Sequence, residues 1–145
     1  MRARSPEQGR LERKERLLAR VLAKLDESVV IVEGKKDVRA LRSIGVKGMP
    51  VEASGRVRGI CSRIEAAARG AGLQADEAVV LTDTDAAGEE LSAMLVGELE
   101  ACGVRPDVQV RRDLRFVLGF HTVEEIPRKL EDFMEKLRLK RMQKH

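Results

Sequence analysis

Two short stretches of this chain, residues 28–32 (SVVIV) and 78–81 (AVVL), are continuous apolar runs rich in β-branched side chains. A strand with one face in water alternates apolar and polar residues; a strand buried on both faces does not. Unbroken runs of this length therefore point to strands of a parallel sheet covered by helices on both sides. Parallel neighbours need long crossovers between them, and the intervening sequence supplies helical patterns of the right length.

Those patterns run as follows. Residues 7–27 read as a helix with Leu11, Leu18, Val21, Leu22 and Leu25 on one stripe. After the first strand, residues 36–44 read as a helix with Val38, Leu41 and Ile44 on one side, closed by Gly45. Residues 49–52 suggest a second strand, and residues 57–71 a helix through Ile60, Ile64 and Ala68. The third strand, 78–81, is followed by a helix over 87–101. Residues 108–110 read as a fourth strand, introduced by Pro106, and 112–145 are helical in pattern, with Pro127 in the first turn of the last helix.

Strands alternating with helices give an α/β class: an open sheet of about four parallel strands flanked by helices, with helical extensions at both ends. The 145 residues suit one compact unit. Its expected parts are an N-terminal basic helix (1–27), a central α/β region (28–112) and a C-terminal helical extension (113–145). With no Trp, no Tyr and three Phe, the core has to be aliphatic.

Charge is arranged unevenly. Residues 1–24 carry eight Lys/Arg against three acids, and residues 128–145 carry seven against three. The segment between, 25–127, carries thirteen against eighteen. A basic frame around an acidic centre suits a protein that uses a metal on nucleic acid; two solvated helices with snorkelling Lys and Arg would give the same numbers. No apolar stretch approaches the roughly 20 residues of a membrane span, and the charged N-terminus gives no secretory leader, so a cytoplasmic protein is expected. Cys61 and Cys102 stand alone in helical patterns, which favours reduced, buried thiols over a disulfide framework.

The chemistry sits just after the buried strands. Glu33 follows the first run, and Asp83 and Asp85 follow the third strand. In open α/β sheets the loops at the carboxyl ends of the strands build the site. An i, i+2 pair in extended chain points both side chains the same way. Carboxylates held so close either take up a proton or share a cation. Glu33 on a second strand favours the cation, and an all-carboxylate set suits Mg²⁺, as one ion or two, with Mn²⁺ able to replace it. The bland alternative for an Asp-x-Asp is a helix N-cap followed by a first-turn acid. Gly34 is expected to let the chain turn sharply after Glu33, and Gly88 to let a helix start close to the acids, offering its N–H groups to a phosphate.

The two segments together resemble the two halves of a Toprim domain. The first is Val30-Ile31-Val32-Glu33-Gly34-Lys35-Lys36-Asp37; the second is Leu81-Thr82-Asp83-Thr84-Asp85-Ala86-Ala87-Gly88. The likeness spans residues 28–112. The first motif is most similar to the ribonuclease M5 style, and the size to small stand-alone Toprim proteins of archaea. The resemblance implies a Rossmann-like sheet of parallel strands, Asp83 and Asp85 as metal ligands, and Glu33 as a metal ligand or general acid/base. Toprim topoisomerases cut DNA through a tyrosine, and this chain has none. Toprim primases add zinc-binding and polymerase-core regions, and recombination-mediator relatives a cysteine zinc motif; neither is found here. A nuclease needs only water, metal and a positioned phosphate.

Lys35, Lys36, Arg56, Arg58, Arg111, Arg112 and Arg115 follow strand ends or loops, where phosphate contacts or plain solvated charge would both place them. No aromatic platform for bases is evident. His121 and His145 have no metal spacing to the acids.

Three readings of function follow. The first is a Mg²⁺-dependent enzyme on RNA or DNA phosphodiesters, a nuclease. The second is a non-catalytic, metal-stabilised module that binds nucleic acid or a protein, with the terminal helices docking a partner or a second copy. The third is a small-molecule phosphotransferase using Asp83 as nucleophile; there the Asp-x-Asp usually follows the first strand, not the third.

Overall fold

The structure, a computed structural model, describes residues 5–143. His145 and residues 1–4 of the N-terminal helix segment lie outside the described residues.

The two unbroken apolar runs form adjacent central strands. β1 (Val29–Val32) is buried at all four positions, and β3 (Glu77–Val80) at three of four. They pair in parallel, Val30 beside Val79 and Ile31 beside Val80. β2 (Met49–Glu52) lies on the outer side of β1, and β4 (Arg105–Asp107) on the outer side of β3. The sheet order is therefore β2-β1-β3-β4, with all strands parallel.

Helices cover both faces. On one lie α1 (Pro6–Asp26), α2 (Lys35–Ser43), α5 (Gln109–Leu118) and α6 (Ile126–Met142), packed on Val30, Val32, Val79 and Leu81. On the other lie α3 (Ile60–Ala71) and α4 (Ala86–Ala101), packed on Val29, Ile31, Ala78 and Val80. Alternate residues of β1 and β3 thus feed two separate aliphatic cores, as the period-2 geometry requires. The chain ends are joined across the first face by ion pairs Lys140–Glu7 (2.9 Å) and Arg141–Glu15 (2.5 Å). Gly48 is required by close approach, because a Cβ there would stand 1.9 Å from the Leu25 carbonyl oxygen.

Three expectations need correction. The fourth strand is Arg105–Asp107, not 108–110. Asp107 Oδ1 accepts from the N–H groups of Gln109 (2.9 Å) and Val110 (3.2 Å), which starts α5 at once. Pro106 is tolerated inside the strand because β4 is an edge. The stretch 112–145 is not one helical run: α5 stops at Gly119, whose φ of 70° is left-handed, and a 3-10 turn (Val123–Glu125) precedes α6. Finally, Cys61 and Cys102 are neither buried nor reduced. They form a disulfide between the start of α3 and the end of α4, Cα atoms 6.8 Å apart.

Candidate functional site

The strand order reverses between β1 and β3: the chain leaves β1 for β2 on one side and returns to β3 on the other. The loop after β1 leads to α2 on one face, and the loop after β3 to α4 on the opposite face. In open α/β sheets this reversal point is where sites form, and the three acids stand on the two loops that part there.

Glu33 and Asp83 meet at that point. Their carboxyl groups are within hydrogen-bonding reach of one another. Burial, then the hydrogen bond and charge of Asp83, push the Glu33 carboxyl up to about 7. Asp83 is further held by the Val123 N–H, which donates to Oδ1 at 2.8 Å. Asp85 is turned the other way: its Oδ1 accepts from the Gly88 N–H at 2.7 Å and caps α4. The bland alternative for this spacing is thus part of the answer. Among the described residues, no three carboxylate, His or Cys side chains close around one point. The cap uses one Asp85 oxygen, and a second remains on the same group.

The loop carrying Asp83 is braced from several directions. Thr82 donates through Oγ1 to the Gly88 carbonyl (2.9 Å), folding the first turn of α4 back on the loop. A Cβ on Gly88 would stand 2.0 Å from the Asp83 carbonyl oxygen, so only glycine permits this approach. The Thr84 N–H donates to the His121 carbonyl (2.7 Å), and Thr84 Oγ1 to the Phe120 carbonyl (3.0 Å). The interruption between α5 and α6 is what brings those backbone groups to the site. His121 itself takes part through its backbone, its side chain being exposed.

Gly34 has no comparable role. Its φ of −160° is ordinary extended backbone, and a Cβ there would meet nothing within 4 Å. The sharp turn after Glu33 does not depend on it. Its N–H instead donates to Asp37 Oδ2 at 3.2 Å.

Arg111, expected among the phosphate-binding residues, is buried at 7% exposure. Its guanidinium donates to the carbonyls of Thr82 (3.0 Å) and Asp83 (2.7 Å) and pairs with Glu89 (2.6 Å). A fork spent in this way positions the loop. Lys35, Lys36, Arg56 and Arg112 are exposed, as are Arg58 and Arg115. Lys35 and Lys36 open α2 directly after Glu33, and Arg112 lines a groove beside Thr84.

Asp37 belongs to the first motif, and no role is expected of it from the sequence. It is buried beside Glu33 at the start of α2, and burial pushes its carboxyl up, against the Gly34 N–H; the charges of Asp83 and Glu124 add to the rise. The signal was present: an acid three residues after a helix-opening glycine reaches back to the free N–H there.

A protein-family model described as Toprim domain matches residues 28–110. A UPF0292 protein of Methanosarcina barkeri is 32% identical over 90% of this chain and 87% of its own. A UPF0292 protein of Archaeoglobus fulgidus is 41% identical over 59% of this chain, and the match spans 61% of that relative's length. A solved structure of a protein from Aquifex aeolicus superposes with a TM-score of 0.60 at 26% identity, covering 74% of this chain and 96% of that one. Toprim domains commonly bind Mg²⁺ and serve in nucleases and primases. No helix among the described residues is long and apolar enough to cross a membrane.

Proposed function

The chain belongs to the Toprim domain family, and from that premise we propose that it is a cytoplasmic, Mg²⁺-dependent protein that hydrolyses nucleic-acid phosphodiesters. The observation that carries this reading is the Glu33–Asp83 contact at the point where the strand order reverses. Two carboxyls in hydrogen-bonding contact need a proton or a cation between them, and an all-oxygen donor set fits Mg²⁺. Asp83 and Glu33 would hold the ion, joined by the second oxygen of Asp85. When bound, Mg²⁺ supplies positive charge to a phosphate oxygen.

The chain's own residues do the rest. Where Asp83 and Asp85 hold the ion and leave Glu33 free, the Glu33 carboxylate takes the proton of the attacking water. The water oxygen bonds to phosphorus as the phosphorus–oxygen bond to the leaving nucleotide breaks, and a proton returns to that oxygen. The exposed Lys35, Lys36, Arg56 and Arg112 orient the backbone by phosphate contacts, so binding weakens steeply with salt. Thr82, Gly88 and Arg111 keep the Asp83 loop in place.

One observation favours a second reading, a metal-stabilised module that binds nucleic acid or protein without turnover. Asp85 caps a helix, and no three acids close around one point among the described residues. Incubation of the purified chain with RNA and DNA substrates, in Mg²⁺ or Mn²⁺ and in chelator, separates the two. The first reading expects cleavage that needs the metal and disappears in Asp83→Ala. Binding with no cleavage of any substrate selects the second. Cleavage that persists in chelator, or in Asp83→Ala, contradicts the metal mechanism.

A further inference from the structure

Of the three Phe side chains, Phe120 and Phe133 are buried, while Phe116 is 63% exposed. It stands on the outer face of α5 against α1, where it lines a groove of about 830 Å³. The rest of its lining is α1 from Arg10 to Arg20, with Arg13, Lys14 and Leu17 on the same stripe as these two. These positions fall at helical spacing, so their side chains share a face about 15 Å long. The Lys14 ammonium lies 5.0 Å from the Phe116 ring centre, a cation–π contact. Among the described residues no ion pair takes up Arg10, Arg13 or Arg20. Both walls lie outside residues 28–110, which the family model matches.

Arg112 and Arg115 line a second groove that reaches Thr84, between Asp83 and Asp85. Arg112 and Phe116 are four residues apart on one helix, so about 6 Å of helix axis separates them. A chain of phosphates running from Thr84 along α5 would meet Arg112 and Arg115 first, then Phe116 and the α1 arginines.

We propose that the α1–α5 groove binds a single-stranded nucleic-acid segment, with a base stacked on Phe116 and phosphates on Arg13, Arg20 and Lys14. This deepens the proposed function and rests on it. Charge complementarity selects the occupant. An apolar protein surface on Phe116 would have to desolvate several unpaired guanidinium groups. A lipid surface needs the apolar face of α1, but Leu11, Leu18, Val21 and Leu25 are buried in the core. A base has a π-face for the ring and a phosphate for the arginines. Duplex has no unstacked base to offer.

The chain has no Trp and no Tyr, so Phe116→Trp places one indole at the platform. The full-length variant is titrated in chelator with a single-stranded oligonucleotide and with the same sequence as duplex, at about 50 mM and 200 mM salt. Anionic vesicles and a protein dilution series accompany it. Expected is quenching of the indole by the single strand alone, and about tenfold weaker binding in Phe116→Ala and in Arg13→Gln, measured by anisotropy. Phe116 is exposed, so these variants should melt as the parent does. No quenching by single strand overturns the proposal, as does a larger response to duplex, to vesicles or to protein concentration. Mg²⁺-dependent cleavage with a silent indole removes this groove and leaves the proposed function. Quenching without cleavage keeps the groove and removes the nuclease.

Discussion

The carboxyl groups of Glu33 and Asp83, fifty residues apart in the chain, meet within hydrogen-bonding reach at the ends of two adjacent parallel strands. In the absence of a cation they share a proton, and that has a thermodynamic consequence. The unfolded Glu33 titrates near the ordinary 4.5, the folded one near 7. Between those values the folded state binds more protons. Stability present below pH 4.5 is therefore lost as pH rises through about 7. Asp37, also pushed up by burial, contributes in the same direction. In chelator the melting temperature should fall between about pH 5 and pH 8, and Glu33→Gln should flatten the fall. A melting temperature that rises over this range would contradict the contact.

Gly88→Ala should lower stability by about 1–3 kcal/mol, since the new methyl collides with the Asp83 backbone and one of the two must move. The same variant should weaken Mn²⁺ binding, because the moving part carries Asp83. Chemical denaturation and a Mn²⁺ titration read the two effects. Gly34→Ala, with open space around the added carbon, should leave stability within about 0.5 kcal/mol of the parent.

Arg111 and Arg112 are neighbours with opposite fates. Arg111→Lys keeps the charge but loses the fork that holds two carbonyls, and should cost about 2 kcal/mol or more in urea denaturation. Arg112→Gln should leave stability nearly unchanged and reduce both the affinity for polyanions and its salt dependence.

The Cys61–Cys102 bridge spans 41 residues of sequence. In the chain-entropy account a loop of that size contributes about 4 kcal/mol. Thiol titration of denatured, unreduced protein should find no free cysteine, and reductant should lower the denaturation midpoint. Two free thiols in that titration would contradict the bridge.

The sheet was legible because burial on both faces leaves an unbroken apolar run, and the acids because they stand directly after such runs. β4 was not, since an edge strand of three residues containing Pro106 carries no such run; the apolar pattern begins only where α5 does. Arg111 reads in sequence like any loop arginine, and only the tertiary fold buries it. Asp85 showed both its possibilities, ligand and cap, and the helix start at Ala86 makes the cap real. The disulfide joins two helices whose proximity no local pattern encodes. Phe116 sits in an amphipathic stretch, where spacing alone does not say which aromatic faces water.

Whether Glu33 and Asp83 hold a metal ion is tested most directly by anomalous diffraction from crystals soaked in Mn²⁺. The prediction is a peak bonded to carboxylate oxygens of both residues, with Asp85 as a further ligand, and its loss in Asp83→Asn. A well-ordered soaked crystal with no peak within bonding distance of either carboxylate would contradict it.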